Sequence, residues 1–393
     1  GSISSFDESD YLGGITGYNG VGEYAFSSAI YDCISDAAFL DIENRNGDEK
    51  VGGISGHNKG NIDNSYWNKD KISIGNSNYK PDAIGLTEQE ITEMLNNGTI
   101  GPKTITPLSE EEAIAKGYTV IKTVDDLLKI DEEIDGTDKN YILMADIDLS
   151  SIANWNPIGA NKIFEGEFNG NGYSIKNLTI TDSSSSYVGL FAQFGGTIKN
   201  LRLENVNITA NSASYVGGIV GGIKTGPSHI INCSVTGTIN STSATSIGAL
   251  AGDFFSGDIS YSSANININS DSAFVGGLVG SLGDATISYS YSEGTISGTQ
   301  DLGGIVGKAS SDSIIDNCLA NTSGSSIMGG IVGDIYTGTI NNSFWNTNNS
   351  DTAYKDIYIS EPNITGLDSS QISSKYQEIF NIVNTPIKRL TEK

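Results

Sequence analysis

Along most of the chain, short runs of Ile and Val alternate with Ser, Thr and Asn, and Gly, Asn or Ser breaks each run. Alternation with period two marks half-buried strands, and the breakers mark turns. An apolar–glycine phrase recurs through these runs: LGGITG from Leu12, VGGISG from Val51, VGLFAQ from Val188 and VGGIVG from Val216. It continues as IGALAG from Ile247, VGGLVG from Val275, LGGIVG from Leu302 and MGGIVG from Met328. Its first glycines are Gly13 and Gly52, then Gly189, Gly217, Gly248, Gly276, Gly303 and Gly329, the last six spaced 26–31 residues apart. A second phrase follows each copy: Ile, any residue, Asn or Tyr, then a small residue. Examples are Ile230-Ile231-Asn232-Cys233, Ile287-Ser288-Tyr289-Ser290 and Ile315-Asp316-Asn317-Cys318.

No helical period intervenes, so βαβ units are not expected. A period of this length holds about three short strands and three turns, one rung of a parallel β-helix. The expected fold is all-β: a right-handed parallel β-helix, or solenoid, with short capping and connector helices. Isoleucines should form an inner ladder, and glycines should sit where a side chain would collide with the next rung. A β-propeller, the rival, needs blades of about 40–45 residues.

A longer period lies above the rungs. Asn64-Ser65-Tyr66-Trp67-Asn68 matches Asn342-Ser343-Phe344-Trp345-Asn346, and Gly85-Leu86 matches Gly366-Leu367. Residues 1–68 therefore read as the closing rungs of a preceding module, 69–118 as a connector with short helices, and 119–393 as a second module with a C-terminal cap. Thr87 with Glu90, Ser109 with Glu112, and Thr123 are the expected helix caps. Tandem modules of the same polypeptide are the first expected partners.

Composition narrows the function. Glycine accounts for 48 residues and proline for only 7, which excludes collagen and proline-rich linkers. With 22 basic against 47 acidic residues the net charge is −25, so no nucleic-acid partner is expected. No run approaches the roughly 18 apolar residues of a membrane span, so no direct membrane insertion is expected. No signal peptide stands at the start, which decides nothing about secretion. His57 and His229 are the only histidines, too few for an HExxH zinc protease. Cys33, Cys233 and Cys318 share the last place of the second phrase and read as free, buried, small residues.

Candidate chemistry is sparse. Glu165 and Glu167, two apart on an expected strand, would present both carboxylates on one side. Their spacing overlaps the ~6.5–9.5 Å range of inverting glycosidases. Asp146 and Asp148 likewise share a strand face, where a calcium ion is possible, although no DxDxDG loop exists. No other cofactor is indicated. Tyr261 and Tyr289, equivalent and one rung apart, would form either an aromatic ladder or a small sugar-contacting platform. Trp67 and Trp345 read as core or capping residues. Asn64, Asn200, Asn232, Asn317 and Asn342 read as an amide ladder in turns.

The glycine phrases resemble the GLUG motif of bacterial and archaeal surface proteins. The resemblance extends to the stretch Tyr141–Leu149, to Trp155-Asn156-Pro157-Ile158-Gly159 and to the stretch Phe164–Tyr173. It implies an extracellular, cell-surface location and a non-enzymatic adhesin or stalk module that meets an extracellular glycan or protein receptor. Two alternatives stay open: a carbohydrate-active β-helix enzyme using Glu165 and Glu167, and a binding module attached to a secreted peptidase.

Overall fold

A computed structural model of the chain describes residues 107–375, apart from 133–135, 182–184, 212, 224–225, 311, 325–327 and 358–362. Before residue 107 it describes the backbone of short strands only. Two compact units emerge, 1–103 and 104–393.

In the second unit every named strand pairing is parallel, in sheets of fourteen, ten and six strands. One rung shows the plan. Phe274–Gly276 belongs to the six-stranded sheet, Val279–Ser288 to the fourteen-stranded sheet and Tyr291–Ile296 to the ten-stranded sheet. The chain then re-enters the first sheet at Asp301–Gly303, paired in register with Phe274–Gly276. This is the expected parallel β-helix; an antiparallel propeller is excluded.

The second phrase stacks one copy above another. Phe168, Ile198, Ile230, Ile259, Ile287, Ile315 and Ile340 pair in succession, and each is at most 1% exposed. Burying such a side chain contributes about 1.5–3 kcal/mol, so every member of the column adds appreciably to the core.

The next two positions explain the rest of the phrase. Asn200, Asn232, Tyr261, Tyr289, Asn317 and Asn342 all hold a positive φ between 42° and 60°. That left-handed turn lets each N–H of the first five reach a carbonyl of the following rung, as from Asn232 to Ser260 at 2.9 Å. Asparagine is the side chain that tolerates this turn best. The expected amide ladder forms where asparagines stack. Asn232 Nδ2 donates to Asn200 Oδ1 at 2.9 Å, and Asn200 Nδ2 to Asn169 Oδ1 at 3.2 Å. Asn64 lies outside the described residues.

The small residue that follows is a link between rungs. The Ser262 hydroxyl donates to Ser260 O at 2.9 Å and accepts from Cys233 N at 3.1 Å. Ser290 repeats this, donating to Ser288 O at 2.8 Å and accepting from Ser262 N at 3.2 Å. Cys233 and Cys318 are free and buried in the same column, each thiol directed at the carbonyl two residues back, 3.3 Å away. Burial pushes both thiols up to about 12. Cys33 lies outside the described residues.

The first strand of the unit, Thr119–Ile121, is flanked by two helices, α1 (Glu110–Ala115) and α2 (Val124–Glu132). Both carry the expected caps. Ser109 and Glu112 form a capping box, and Thr123 Oγ1 accepts from Asp126 N at 3.2 Å. Gly117 ends α1 at φ +84°. Ala113, Leu127 and Ile130 are fully buried beneath the helices. At the other end, within the stretch expected to hold a C-terminal cap, Asp368 caps a helical segment at 369–375. The pair Asp368 and Gln371 aligns with Thr87 and Glu90 of the earlier module, and that offset was the available signal.

In the first unit Val51–Gly52, Ser55–Asn58, Asn61–Asp63, Tyr66–Asn68 and Ile84–Leu86 follow one another. The last rungs of the second unit run Met328–Gly329, Val332–Ile335, Thr339–Asn341, Ser343–Asn346 and Ile364–Leu367, with Tyr354–Ile357 standing before the last of these. Trp67 pairs with Gly85, as Trp345 pairs with Gly366. Residues 104–118 of the expected connector group with the second unit. The Thr87 helix start lies outside the described residues.

Candidate functional site

The repeat glycines are held by backbone crowding. A Cβ on Gly276 would lie 1.9 Å from Val279 O and 2.8 Å from Ile305 O in the next rung. Gly217, Gly248, Gly303 and Gly329 meet the same obstacle, the carbonyl three residues on, at 1.8–2.3 Å. At Gly189 the contacts are looser, the nearest being Gly217 O at 2.8 Å. Gly13 and Gly52 pair with each other on the strands Leu12–Gly13 and Val51–Gly52. This corner leaves no room for a ligand; its glycines let the chain fold back on itself.

Glu165 and Glu167 do not share a strand, because the strand begins at Glu167 (Glu167–Asn169). Glu165 is exposed, and its N–H donates to Thr137 O at 2.9 Å. The Glu167 carboxylate accepts from the Tyr118 hydroxyl and lies 3.2 Å from Lys199 Nζ. Burial, first of all, raises the Tyr118 phenol well above its ordinary range. This cluster ties the residue after α1 to the first rungs of the coil.

Asp146 accepts from Ser174 N at 3.0 Å and lies 3.2 Å from Lys176 Nζ. Asp148 accepts from Asn177 Nδ2 at 2.8 Å and Ser150 N at 2.9 Å, and these bonds hold its carboxyl below the usual range. Among the described residues no group of three or more His, Cys, Asp or Glu is arranged to hold a metal ion.

Tyr261 and Tyr289 stack with ring centroids 5.2 Å apart and planes 9° apart. Tyr261 is 1% exposed and belongs to a small external apolar cluster with Tyr291, Leu319 and Ile372. The pair is an aromatic ladder standing where the amide ladder is interrupted, and Tyr261 has no surface left for a sugar. Trp345 is half-buried, donates from Nε1 to Ser350 O at 3.0 Å and packs against Gly330 and Gly366. It also lines a cavity of about 280 Å³ with Thr352, Ala353, Tyr354 and Ile364. Of Trp67 only the strand position is described.

Three features were not anticipated from sequence. His229 is buried, with Nδ1 hydrogen-bonded to Asp258, its register partner one rung on. Lys308 lies 4.8 Å from the Phe274 ring and 5.2 Å from that of Tyr336, a cation–π clamp. The third is the outer face of the ten-stranded sheet. Asn207, Thr238, Asn267, Thr295 and Ser323 pair in one outward column. Asn265, Asn267, Asn269 and Thr295 are exposed. The alternation of Asn and Thr was visible in the sequence, but its alignment into columns was not.

Fold and repeats together define the class: a parallel β-solenoid built on GLUG motifs. The GLUG motif model matches residues 212–240 and 275–297. Over 145 residues, 34% of the chain, the sequence is 33% identical to Halomucin of Haloquadratum walsbyi, of which this is 2%. Over 95 residues, 22% of the chain, it is 38% identical to a provisionally named Gly-rich membrane protein of Evansella cellulosilytica, of which this is 11%. The chain thus spans only a small part of these relatives. Among solved structures it resembles a Bacteroides ovatus protein provisionally named an immunoglobulin A1 protease, with TM-score 0.55 and 20% identity. That likeness covers 69% of this chain and 88% of the other, and it is one of fold.

Proposed function

We propose that this chain is a non-enzymatic segment of a cell-surface protein, an adhesin or stalk module that meets a glycan or protein receptor outside the cell. One observation carries the reading. The repeated residues serve rung-to-rung stacking, and the two carboxylates of the enzyme alternative do not share a strand, Glu167 lying 3.2 Å from Lys199 Nζ. The match to a Gly-rich membrane protein supports a surface location, and the GLUG motif supports a role in a repetitive array. The Bacteroides ovatus likeness, at 20% identity, supports the solenoid and no proteolytic chemistry.

The test is an assay of the purified chain for reducing-sugar release and peptide cleavage beside binding to a glycan array. Binding without turnover is expected. Turnover abolished by Glu165→Gln or Glu167→Gln would overturn the reading in favour of a carbohydrate-active enzyme.

A further inference from the structure

From Ser234 to Ser323 the outer face of the ten-stranded sheet differs in chemistry from the chain as a whole, whereas its earlier rungs carry Asp148, Lys176, Arg202 and Glu204. The protein carries a net −25. Yet from Ser234 to Ser323 the outward positions of this sheet are mostly Ser, Thr and Asn. Glu293, bonded to the Tyr291 hydroxyl, is the charged residue among them.

Registry turns these side chains into rows. Thr238, Asn267 and Thr295 form one column, and Asn240 pairs with Asn269 in the next. Columns repeat about every 4.8 Å along the coil axis and stand about 6.7 Å apart along the strands. The side chains are also braced between rungs. Thr295 Oγ1 donates to Asn267 Oδ1 at 2.8 Å, and Asn269 Nδ2 to Asn240 Oδ1 at 3.1 Å. Bracing of this kind lowers the ordering cost that a ligand would otherwise incur.

We propose that this face binds an extended, uncharged polysaccharide lying along the coil axis. The inference rests on the surface-module reading above and names its partner class. Three properties of the face select that occupant. Its near-neutrality offers no counter-charge to an ionic partner, while the acidic remainder repels a polyanion. Its amides and hydroxyls are both donors and acceptors, as sugar hydroxyls are. Its columns repeat with every rung, so the matching ligand is linear and periodic. With hydrogen bonds alone each sugar contributes little, and affinity accumulates along the column.

The experiment is a pull-down of the whole chain on cellulose, xylan and mannan, with polygalacturonate as the charged comparison. The variant Thr238→Glu/Asn267→Glu places two carboxylates in the column. Asn161→Glu/Asn348→Glu adds the same charge at exposed positions elsewhere. Retention on at least one neutral polymer is expected, falling at least tenfold in the column variant and unchanged in the control. Soluble oligosaccharides of that polymer should bind more tightly with length. The milder Thr238→Val/Asn267→Ala should weaken binding several-fold at an unchanged melting temperature, which separates lost contacts from lost fold.

Neutral-polymer binding equal in all variants would overturn this face while leaving the surface-module reading intact. Retention on polygalacturonate alone, or on nothing, would overturn the ligand class. A dimer in sedimentation that the column variant dissociates would assign the face to a second copy of the chain instead. Release of reducing sugar would overturn the parent reading.

Discussion

The glycine corner and the Asn/Thr face lie on the same rungs, and they respond to substitution in opposite ways. At the corner a Cβ on Gly276 meets backbone at 1.9 Å, and backbone cannot swing aside. On the face, Asn267 projects into solvent from a strand whose inward neighbours Ile266 and Ile268 are fully buried. The loudest repeat in the sequence therefore marks the positions with no room for chemistry. The quiet repeat, Asn and Thr in alternation, marks positions exposed to solvent.

The sharpest way to break this contrast is Gly276→Val. Overpacking against backbone is expected to cost about 3 kcal/mol or more, read by chemical denaturation. A melting curve unchanged by that variant would mean that the corner tolerates side chains and is no constraint at all.

The next effect comes from the interior thiols and depends on pH. Cys233 and Cys318 are pushed by burial from 9.0 to about 12. The unfolded chain then loses these protons first as pH rises through 9, so folding stability falls from about pH 9 toward 12. Each thiol contributes a slope of about 1.4 kcal/mol per pH unit where fully developed. Replacing both by Ser should abolish the slope between about pH 9 and 10, above which the raised Tyr118 phenol also contributes. Persistence of the slope would assign it to other groups.

Ser290→Ala probes the column between corner and face. It removes the donor to the half-buried Ser288 O and orphans the buried N–H of Ser262. About 1–3 kcal/mol of stability should be lost. Ser290→Cys, which restores what stands at 233 and 318, should recover most of it. Equal losses in the two variants would show that volume, not the hydrogen bond, selects the residue.

The smallest expected effect is Asn267→Ala, within about 0.5 kcal/mol of the parent, as for surface positions free of buried partners. A loss approaching that of Ser290→Ala would show that the polar columns stabilise the coil and would erase the contrast.

Much of this architecture was legible from spacing. The glycine phrases gave the rung length, the Ile-x-Asn phrases placed the inner column, and Ser109 with Glu112 marked a helix start that the structure keeps. A C-terminal cap was legible as a module feature, but its capping residues were not, because a single Asp–Gln pair at Asp368 and Gln371 is a weak local signal without its aligned copy at Thr87 and Glu90. The carboxylate pair was the least legible feature. Strand alternation from Glu165 to Glu167 presumes a strand at both, but the chain between them bends at Gly166. A Cβ on Gly166 would lie 1.9 Å from Lys139 O, so packing against the preceding rung sets the local path.

By itself the sequence determined what depends on neighbours a few residues apart: strand alternation, left-handed turns at Asn, helix caps and the rung period. Backbone sterics and local hydrogen bonds act over that range, and they leave their mark in residue type. Only the tertiary structure decided which side chains from different rungs meet. Glu167 meets Tyr118 and Lys199, His229 meets Asp258, and Lys308 lies between Phe274 and Tyr336. Those meetings depend on the register between neighbouring rungs. A one-residue slip would turn every side chain to the opposite face, so the register is held by the buried isoleucine column and not by the residues it brings together.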